Sequence, residues 1–253
     1  MFKDVAQAIK EKNKAIIQEL AKKQIASGAN ALDVNVGPAA IDPKTSMEWL
    51  VKTITETTDA TLAIDTTKQD VMETGLSLCK SKAIINSVNA NEDKMKNLFM
   101  LAKKYKASII GLTMDKRGIP KDADSRLELG MKIVSFAIEY GISMDDLYID
   151  AVILPINVGQ SHAKEVLKTI RDSRMLSDPP PKTILGLSNV SQGAHSKYKG
   201  LINKTFLAMA IANGLDAAIM DATDTELMDE LITAELLMEK QLYCDSYLEA
   251  YRR

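Results

Sequence analysis

Seven short apolar runs recur along the chain with helix-like stretches between them, and no other feature narrows the choice of fold so far. The runs are ALDVNVG (31–37), LAIDTT (62–67), KAIINSVNA (82–90), SIIGLTMD (108–115), LYIDAVI (147–153), TILGLSNV (183–190) and DAAIMDA (216–222). Amphipathic segments separate them, among them MEWLVKTITETT, KMKNLFMLAKKY and SRLELGMKIVSFAIEYG. Strands that are apolar throughout, rather than at alternate positions, are covered on both faces; alternating with helices, they predict parallel βα units. An open doubly wound sheet usually carries a G-x-G-x-x-G turn after its first strand, and none is present. The even cadence favours a (β/α)8 barrel, a TIM-type fold whose chemistry sits at the C-terminal ends of the strands.

The count is one strand short. The chain opens on a predicted helix, Lys3 to about Ser27, with no strand before it. A barrel lacking one strand would have an unpaired edge. Either the first strand lies upstream of Met1 or the C-terminal segment closes the gap, and the first reading is preferred. The Asp178-Pro179-Pro180-Pro181 stretch reads as a helix-stopping loop before a strand.

With 253 residues, 46% of them hydrophobic, the chain can bury one large core, and it reads as a single domain over residues 1–253. Lysines and arginines are scattered and the net charge is −2, so no basic stripe points to nucleic acid or a membrane surface. No apolar run reaches the roughly 18 residues of a membrane span, and MFKDVAQAIK lacks a signal-peptide profile. Cys79 and Cys244 have no metal or redox spacing and read as reduced thiols of a cytoplasmic protein. The thirteen methionines read as core filling.

Every strand-like run delivers polar residues at or near its C-terminal end. In order they are Asp33 and Asn35; Asp65 with Thr66 and Thr67; Asn86, Ser87 and Asn89; Thr113 and Asp115; Asp150; Ser188 and Asn189; and Asp221. Any one of them can be explained as a helix cap or a turn residue. Asp33, Asp65, Asn86 and Asp150, however, stand inside their apolar runs, where a polar group without a partner costs a few kcal/mol. A shared polar ligand is the economical explanation. Neither His162, at a helix start, nor His195, in a loop, ends a strand, and no His/Cys/carboxylate cluster has metal-ligand spacing. An acid-rich mouth retains some capacity for Mg²⁺. There is no G-x-S-x-G elbow and no glycine-rich phosphate cradle. Carboxylates accept hydrogen bonds, and amides accept and donate. Such a set suits a flat, uncharged heterocycle bearing N–H donors and a carbonyl, such as an aminopyrimidinone.

GANALDVNVGPA, LAIDTT, AIINSVNA, GLTMDKRGIPKD, LYIDAVILPINVGQ, TILGLSNVSQG and LINKTFLAMA, in order and followed by the terminal YCDSYLEAY, closely resemble the methyltetrahydrofolate:corrinoid/iron–sulfur protein methyltransferases. These are pterin-binding (β/α)8 barrels related to the dihydropteroate synthases and to the folate domain of cobalamin-dependent methionine synthase. The resemblance implies that Asp65, Asn86 and Asp150 hold the pterin ring, and that Asn189 lies near N5, which carries the methyl group. It implies that Asp33 and Asn35 shape the same pocket and that Gln192 is a neighbouring polar residue of it. Asn189 and Asp150 are then the candidate catalytic residues, the second as part of a network supplying a proton. The implied substrates are 5-methyltetrahydrofolate or tetrahydrofolate, and a corrinoid carried by a separate protein that docks at the barrel mouth. The Asp-x-His-x-x-Gly signature of a corrinoid module is absent. A homodimer is implied, and no tightly bound metal.

Three departures accompany the likeness. Relatives begin about ten residues earlier, with a strand ending in Glu-Arg-Ile-Asn. The loop GAHSKYKG (193–200) looks about two residues longer than usual and lacks an Arg-Pro, with Lys197, Lys199 and Lys204 offering positive charge instead. Ala151 replaces a Pro after Tyr-Ile-Asp. Two other readings stay open: a dihydropteroate synthase-like enzyme, and a non-catalytic folate-binding protein.

Overall fold

A computed structural model describes residues 3–37 and 40–241. Cys244 and the YCDSYLEAY segment of the family likeness lie outside the described residues. Two short helices come first, α1 (Lys3–Glu11) and α2 (Lys14–Ala26). Alternation then begins with β1 (Ala31–Val34), α3 (Pro43–Thr55), β2 (Thr61–Asp65), α4 (Gln69–Leu78), β3 (Ile84–Asn89) and α5 (Glu92–Tyr105). It continues with β4 (Ser108–Leu112), α6 (Ala123–Tyr140), β5 (Leu147–Asp150) and α7 (His162–Asp172). The last elements are β6 (Lys182–Gly186), α8 (Ser196–Ala212), β7 (Ala217–Ile219) and α9 (Thr225–Leu237). The seven strands stand in one sheet in the order of the sequence. The β1–β2, β2–β3, β3–β4 and β6–β7 pairs are parallel. This is the α/β order of a TIM-type barrel, and each of the seven runs read from the sequence contains a strand. Among the described residues, no helix is long and apolar enough to cross a membrane.

The first helix of the sequence reading is in fact two. Lys12 is left-handed at φ 53°, its N–H donates to Ile9 O, and the N–H of Asn13 reaches back to Ala8 O. This Schellman closure ends α1 without a glycine. The strand readings also ran too long at their C-terminal ends. β5 stops at Asp150 because Val152 turns left-handed at φ 56°, and β6 stops at Gly186, followed by a 3₁₀ turn over Leu187–Ser191. Four of the five residues SKYKG in the loop after Gln192 are the first turn of α8 and Gly200 continues it, so the connection itself is only Gln192–His195.

Among the described residues, packing gives two compact units, one made of those up to Leu112 with 132–148, the other of residues 113–131 with those from Ile149 onward. In the first, helices lie close on the strands through small residues. A methyl at Gly75 of α4 would stand 2.8 Å from Ile64 of β2, and one at Gly111 of β4 would stand 2.6 Å from Ile133 of α6. Phe99, Phe136 and Tyr140 pack with ring centroids 6.1–6.4 Å apart. Asp42 and Asn91 cap α3 and α5 through the N–H groups of Thr45 and Lys94. In the second unit, Leu185 and Leu187 pack with Val166 and Ile170 of α7 and with Phe206, Leu207 and Ala210 of α8. Burying such side chains contributes roughly 1.5–3 kcal/mol each.

The methionines divide between core and surface. Met47, Met72 and Met95 are fully buried, whereas Met100, Met131, Met175, Met209 and Met238 are exposed, so core filling accounts for only part of them. Cys79 is half-buried and burial pushes its thiol up to about 11, which makes it a poor nucleophile.

Candidate functional site

In the first unit the site grows out of β1. Leu32, Val34 and Val36 are buried while Asp33 and Asn35 face the other way, as the two-residue period of a strand requires. Register places Asp65 of β2 beside Asn86 of β3. Two acid–amide pairs result. Asn86 Nδ2 donates to Asp33 Oδ1 at 2.9 Å, and Asn35 Nδ2 donates to Asp65 Oδ2 at 2.6 Å. Asn35 is fixed from its other side by the N–H of Gly37, which donates to Oδ1 at 2.6 Å. Beyond Asn86 the ladder slips: Asn86 pairs with Ile110 but Val88 with Gly111. Ser87 is therefore a bulge residue, of the kind that re-aims a strand end. The Asn86–Ser87 peptide is cis.

Asp33 is reached by solvent yet crowded by protein, as in a concave surface. Loss of water around it raises its pKa to about 6, the hydrogen bond from Asn86 opposes this, and the charge of Asp65 adds to it. Burial also raises the pKa of Asp65, against the hydrogen bond from Asn35.

The second unit holds its acid differently. Asp150 ends β5 and is 9% exposed. The N–H of Val152 donates to Asp150 Oδ1 at 2.7 Å, an Asx turn at the point where the backbone goes left-handed at Val152. A second main-chain bond comes from Gly186. The Asp150 carbonyl receives Thr113 N at 2.9 Å and Thr113 Oγ1 at 3.0 Å. Burial raises the Asp150 pKa to about 6 in spite of the two main-chain donors.

Asn189 lies in the 3₁₀ turn after β6, and both it and Gln192 are exposed. A methyl at Gly186 would stand 2.9 Å from Asn189 Nδ2, so the bare backbone there lets the amide lie over the very residue that donates to Asp150. Gln192 follows the turn and its N–H donates to Asn189 O at 3.2 Å.

The structure thus brings Asp33, Asn35, Asp65 and Asn86 into one cluster in the first unit, and Asp150, Gly186 and Asn189 into another in the second. Three other strand-end residues serve their own loops. Asn89 accepts from Asn91 N, Asp115 from the main chain and side chain of Arg117, and Asp221 from Thr223. For these the turn explanation suffices. Lys204 pairs with Glu226 at 2.6 Å and Lys197 lies 5.8 Å from the Tyr198 ring centre, so Lys204 is already partnered. A methyl at Gly193, where φ is 75°, would lie 2.8 Å from Asn157 Nδ2, so that amide packs against the connection before α8. It lies in a loop, where no strand pattern marks it. Among the described residues no group of three or more His, Cys, Asp or Glu is arranged to hold a metal ion.

Paired acids and amides with carboxyls shifted toward neutrality make a surface suited to N–H donors on a flat ring. The comparisons agree with that chemistry. Residues 3–221 match the family model for pterin binding enzymes. The chain is 27% identical over 255 residues to the methylcorrinoid:tetrahydrofolate methyltransferase of Eubacterium limosum, covering 98% of this chain and 92% of that protein. It is 26% identical to the methionine synthase of Mycobacterium tuberculosis over 92% of this chain, but spans only 20% of that longer protein. Among solved structures it matches a dihydropteroate synthetase bound to product, with a TM-score of 0.67, 13% identity and coverage of 87% and 86% of the two chains. It also matches the Yersinia pestis dihydropteroate synthase bound to a pterine–sulfa conjugate, with a TM-score of 0.69, 13% identity and 90% coverage of each. Likeness at that identity speaks for the fold alone. The family match spans most of the chain, which is therefore a member of the pterin-binding enzymes.

Proposed function

We propose that this enzyme transfers a methyl group between N5 of 5-methyltetrahydrofolate and a corrinoid carried by a separate protein. The observation that carries the proposal is the match to the methylcorrinoid:tetrahydrofolate methyltransferase, which runs nearly end to end in both chains. The acid–amide pairs fit the substrate: an aminopyrimidinone edge offers N–H donors, and Asp65 and Asp150 offer acceptors. Asp33 and Asn35 support their neighbours Asn86 and Asp65.

The reduced corrinoid, as co-substrate, supplies the nucleophile that takes the methyl carbon. The bonding pair of the C–N bond stays on N5, which makes a poor leaving group unless a proton arrives there. Asn189 donates a hydrogen bond to N5 that strengthens as the C–N bond breaks. An amide does not titrate near neutrality, so the proton itself comes from another group. Asp150, ionising at about 6, delivers it through water, and Gln192 contributes a polar contact at the pocket edge. Asp65, Asn86 and Asp150 fix the ring so that the methyl faces the incoming corrinoid. A cytoplasmic homodimer is the expected form.

Mixing the enzyme anaerobically with 5-methyltetrahydrofolate and cob(I)alamin tests the reading. Loss of the cob(I)alamin absorption with formation of tetrahydrofolate is the expected result. Formation of dihydropteroate from a pterin pyrophosphate and 4-aminobenzoate, without methyl transfer, would overturn it in favour of the synthase. Folate binding with no transfer to cobalamin or to a corrinoid protein would support a binding protein instead.

A further inference from the structure

Within the second unit, the loop from Ala151 to Ser161 runs from the candidate acid to the start of α7 and is tied down at three places. At its beginning the N–H of Val152 turns back to Asp150 Oδ1. In its middle the N–H of Ile156 donates to Val190 O at 3.0 Å, which fastens the loop to the 3₁₀ turn that carries Asn189. At its end the N–H of His162 reaches Gly159 O. The bare backbone of Gly159 lies so close to the His162 ring that a methyl there would stand 2.6 Å from it. The last tie therefore depends on where the ring is held.

What holds the ring is Arg126, in the first turn of α6. Arg126 is the largest side chain that is fully buried, and its Nη2 lies 2.8 Å from His162 Nδ1. Among the described residues that is the one hydrogen bond of its side chain, since Nε and Nη1 have no partner. A guanidinium only donates and does not give up its charge. His162 Nδ1 must accept, so the ring is neutral with its proton on Nε2. A second proton would turn Nδ1 into a donor facing a donor and set two cations together. The acids on the elements around the pair do not take over. Asp122 holds Ser125 through both carboxylate oxygens, and Glu165 Oε2 accepts from Ala123 N at 2.8 Å. Burial, then the charges of Arg126 and Lys121, hold the His162 pKa below its ordinary 6.5, against the pull of Glu165.

We propose that His162 is a positioning residue for the strand-end site of the second unit. As a neutral acceptor it latches the loop after β5 to the start of α6, and through Ile156 the loop steadies the turn bearing Asn189. Protonating the ring opens the latch. Glu165 ties α7 to α6 independently of His162, so opening loosens the loop and not the helix pair. Protection of the loop is complete above about pH 6.5 and is lost as pH falls through the lower value at which the latched ring takes up its proton. A histidine paired with an acid would behave in the opposite way. That the steadied turn serves methyl transfer rests on the function proposed above.

Amide exchange of the intact enzyme, corrected for the intrinsic effect of pH, tests the latch at the N–H of Ile156, with the His162 imidazole followed by NMR in the same samples. In the wild type the ring should show the Nε2–H form and titrate below 6.5. Protection at Ile156 should then fall about tenfold for each unit of that depression. His162→Asn puts near the place of Nδ1 an oxygen that accepts from Arg126 and takes up no proton, and should keep the loop protected down to about pH 5. His162→Ala lacks the acceptor and should be loose at every pH; if it fails to fold, His162→Asn decides alone. Protection that falls equally in wild type and His162→Asn, or a His162 that titrates at or above its ordinary value, overturns the proposal. Folate affinity is the second readout. It should weaken more steeply with acid in wild type than in His162→Asn, since Asp150 titrates in both. Equal slopes beside a working latch overturn the positioning role. Folate binding by neither protein overturns the function proposed above and leaves the exchange result to decide the latch.

Discussion

The acids of β1 and β2 are held by side chains, whereas the acid of β5 is held by main chain. Asp33 leans on Asn86 and Asp65 on Asn35, through partners 53 and 30 residues away that neighbouring strands bring alongside. Asp150 takes its donors from the N–H groups of Val152 and Gly186, which no substitution of a side chain removes. The first arrangement is adjustable and partly open to solvent. The second is set by the fold and dry. Both raise a carboxyl pKa by crowding water away, yet only in the second is the acid confined to one place by backbone geometry. Under the function proposed above, this difference suits the adjustable cluster to ring recognition and leaves Asp150, beside its contact to the ring, as the acid that handles the proton.

Removing the fixed acid should therefore do the most damage. Asp150→Ala removes the carboxylate that accepts from the Val152 and Gly186 N–H groups and, under the proposed function, the proton source, and methyl transfer should fall on the order of 10³-fold. Asp65→Ala, in the adjustable cluster, should fall roughly 10²-fold, mainly through weaker folate binding. Stopped-flow transfer rates and folate titrations on both variants measure this. Equal losses, both in KM alone, would erase the proposed division of labour.

The pH dependence of stability sharpens the same contrast. Asp150 ionises at about 6 in the folded chain and near its ordinary value when unfolded, so the fold holds this proton more tightly. Ionisation consequently disfavours the folded state by about 3 kcal/mol above pH 6. The penalty fades as pH falls from 6 toward 4 and is gone below that window. Denaturant unfolding at a series of pH values should show wild type gaining stability relative to Asp150→Asn as pH drops from about 7 to about 4.5. A constant difference between the two would mean that Asp150 is not the buried titrating group. Asp33 titrates in the same range but keeps its access to water, so its contribution to stability should be small.

Much of this was legible in the sequence, for reasons that also explain what was not. Each strand announced itself because a run covered on both faces has to be apolar throughout, and Asp33, Asp65, Asn86 and Asp150 stood out as interruptions of such runs. The pairing of Asn35 with Asp65 and of Asn86 with Asp33 was illegible, since register between strands is settled by turns and packing far from either residue. The break between α1 and α2 was missed because a lysine, not a glycine, takes the left-handed position at Lys12. Ser188 and Asn189 read as a strand end, although a short apolar–polar stretch fits a 3₁₀ turn equally well. Arg126 gave no signal at all: in a helical pattern an arginine reads as surface, yet the fold buries it fully.

The pair Asn35 and Gly186 gives the smaller tests. Asn35→Ala leaves Asp65 in place but unheld, and also frees the Gly37 N–H. Transfer should fall roughly tenfold, in KM more than in kcat, because a misplaced acceptor weakens ring binding before chemistry. Gly186→Ala should cost less, about three- to fivefold, and in the opposite parameter. Its methyl would meet Asn189 Nδ2 at 2.9 Å. That amide is the end of an exposed side chain, so it swings aside without unfolding the turn. If Asn189 supports the leaving nitrogen only as the C–N bond breaks, the displacement should lower kcat and leave folate affinity nearly unchanged. A drop in affinity with unchanged kcat would instead make Asn189 a ground-state contact, and the case for Asp150 as proton source would have to stand without it.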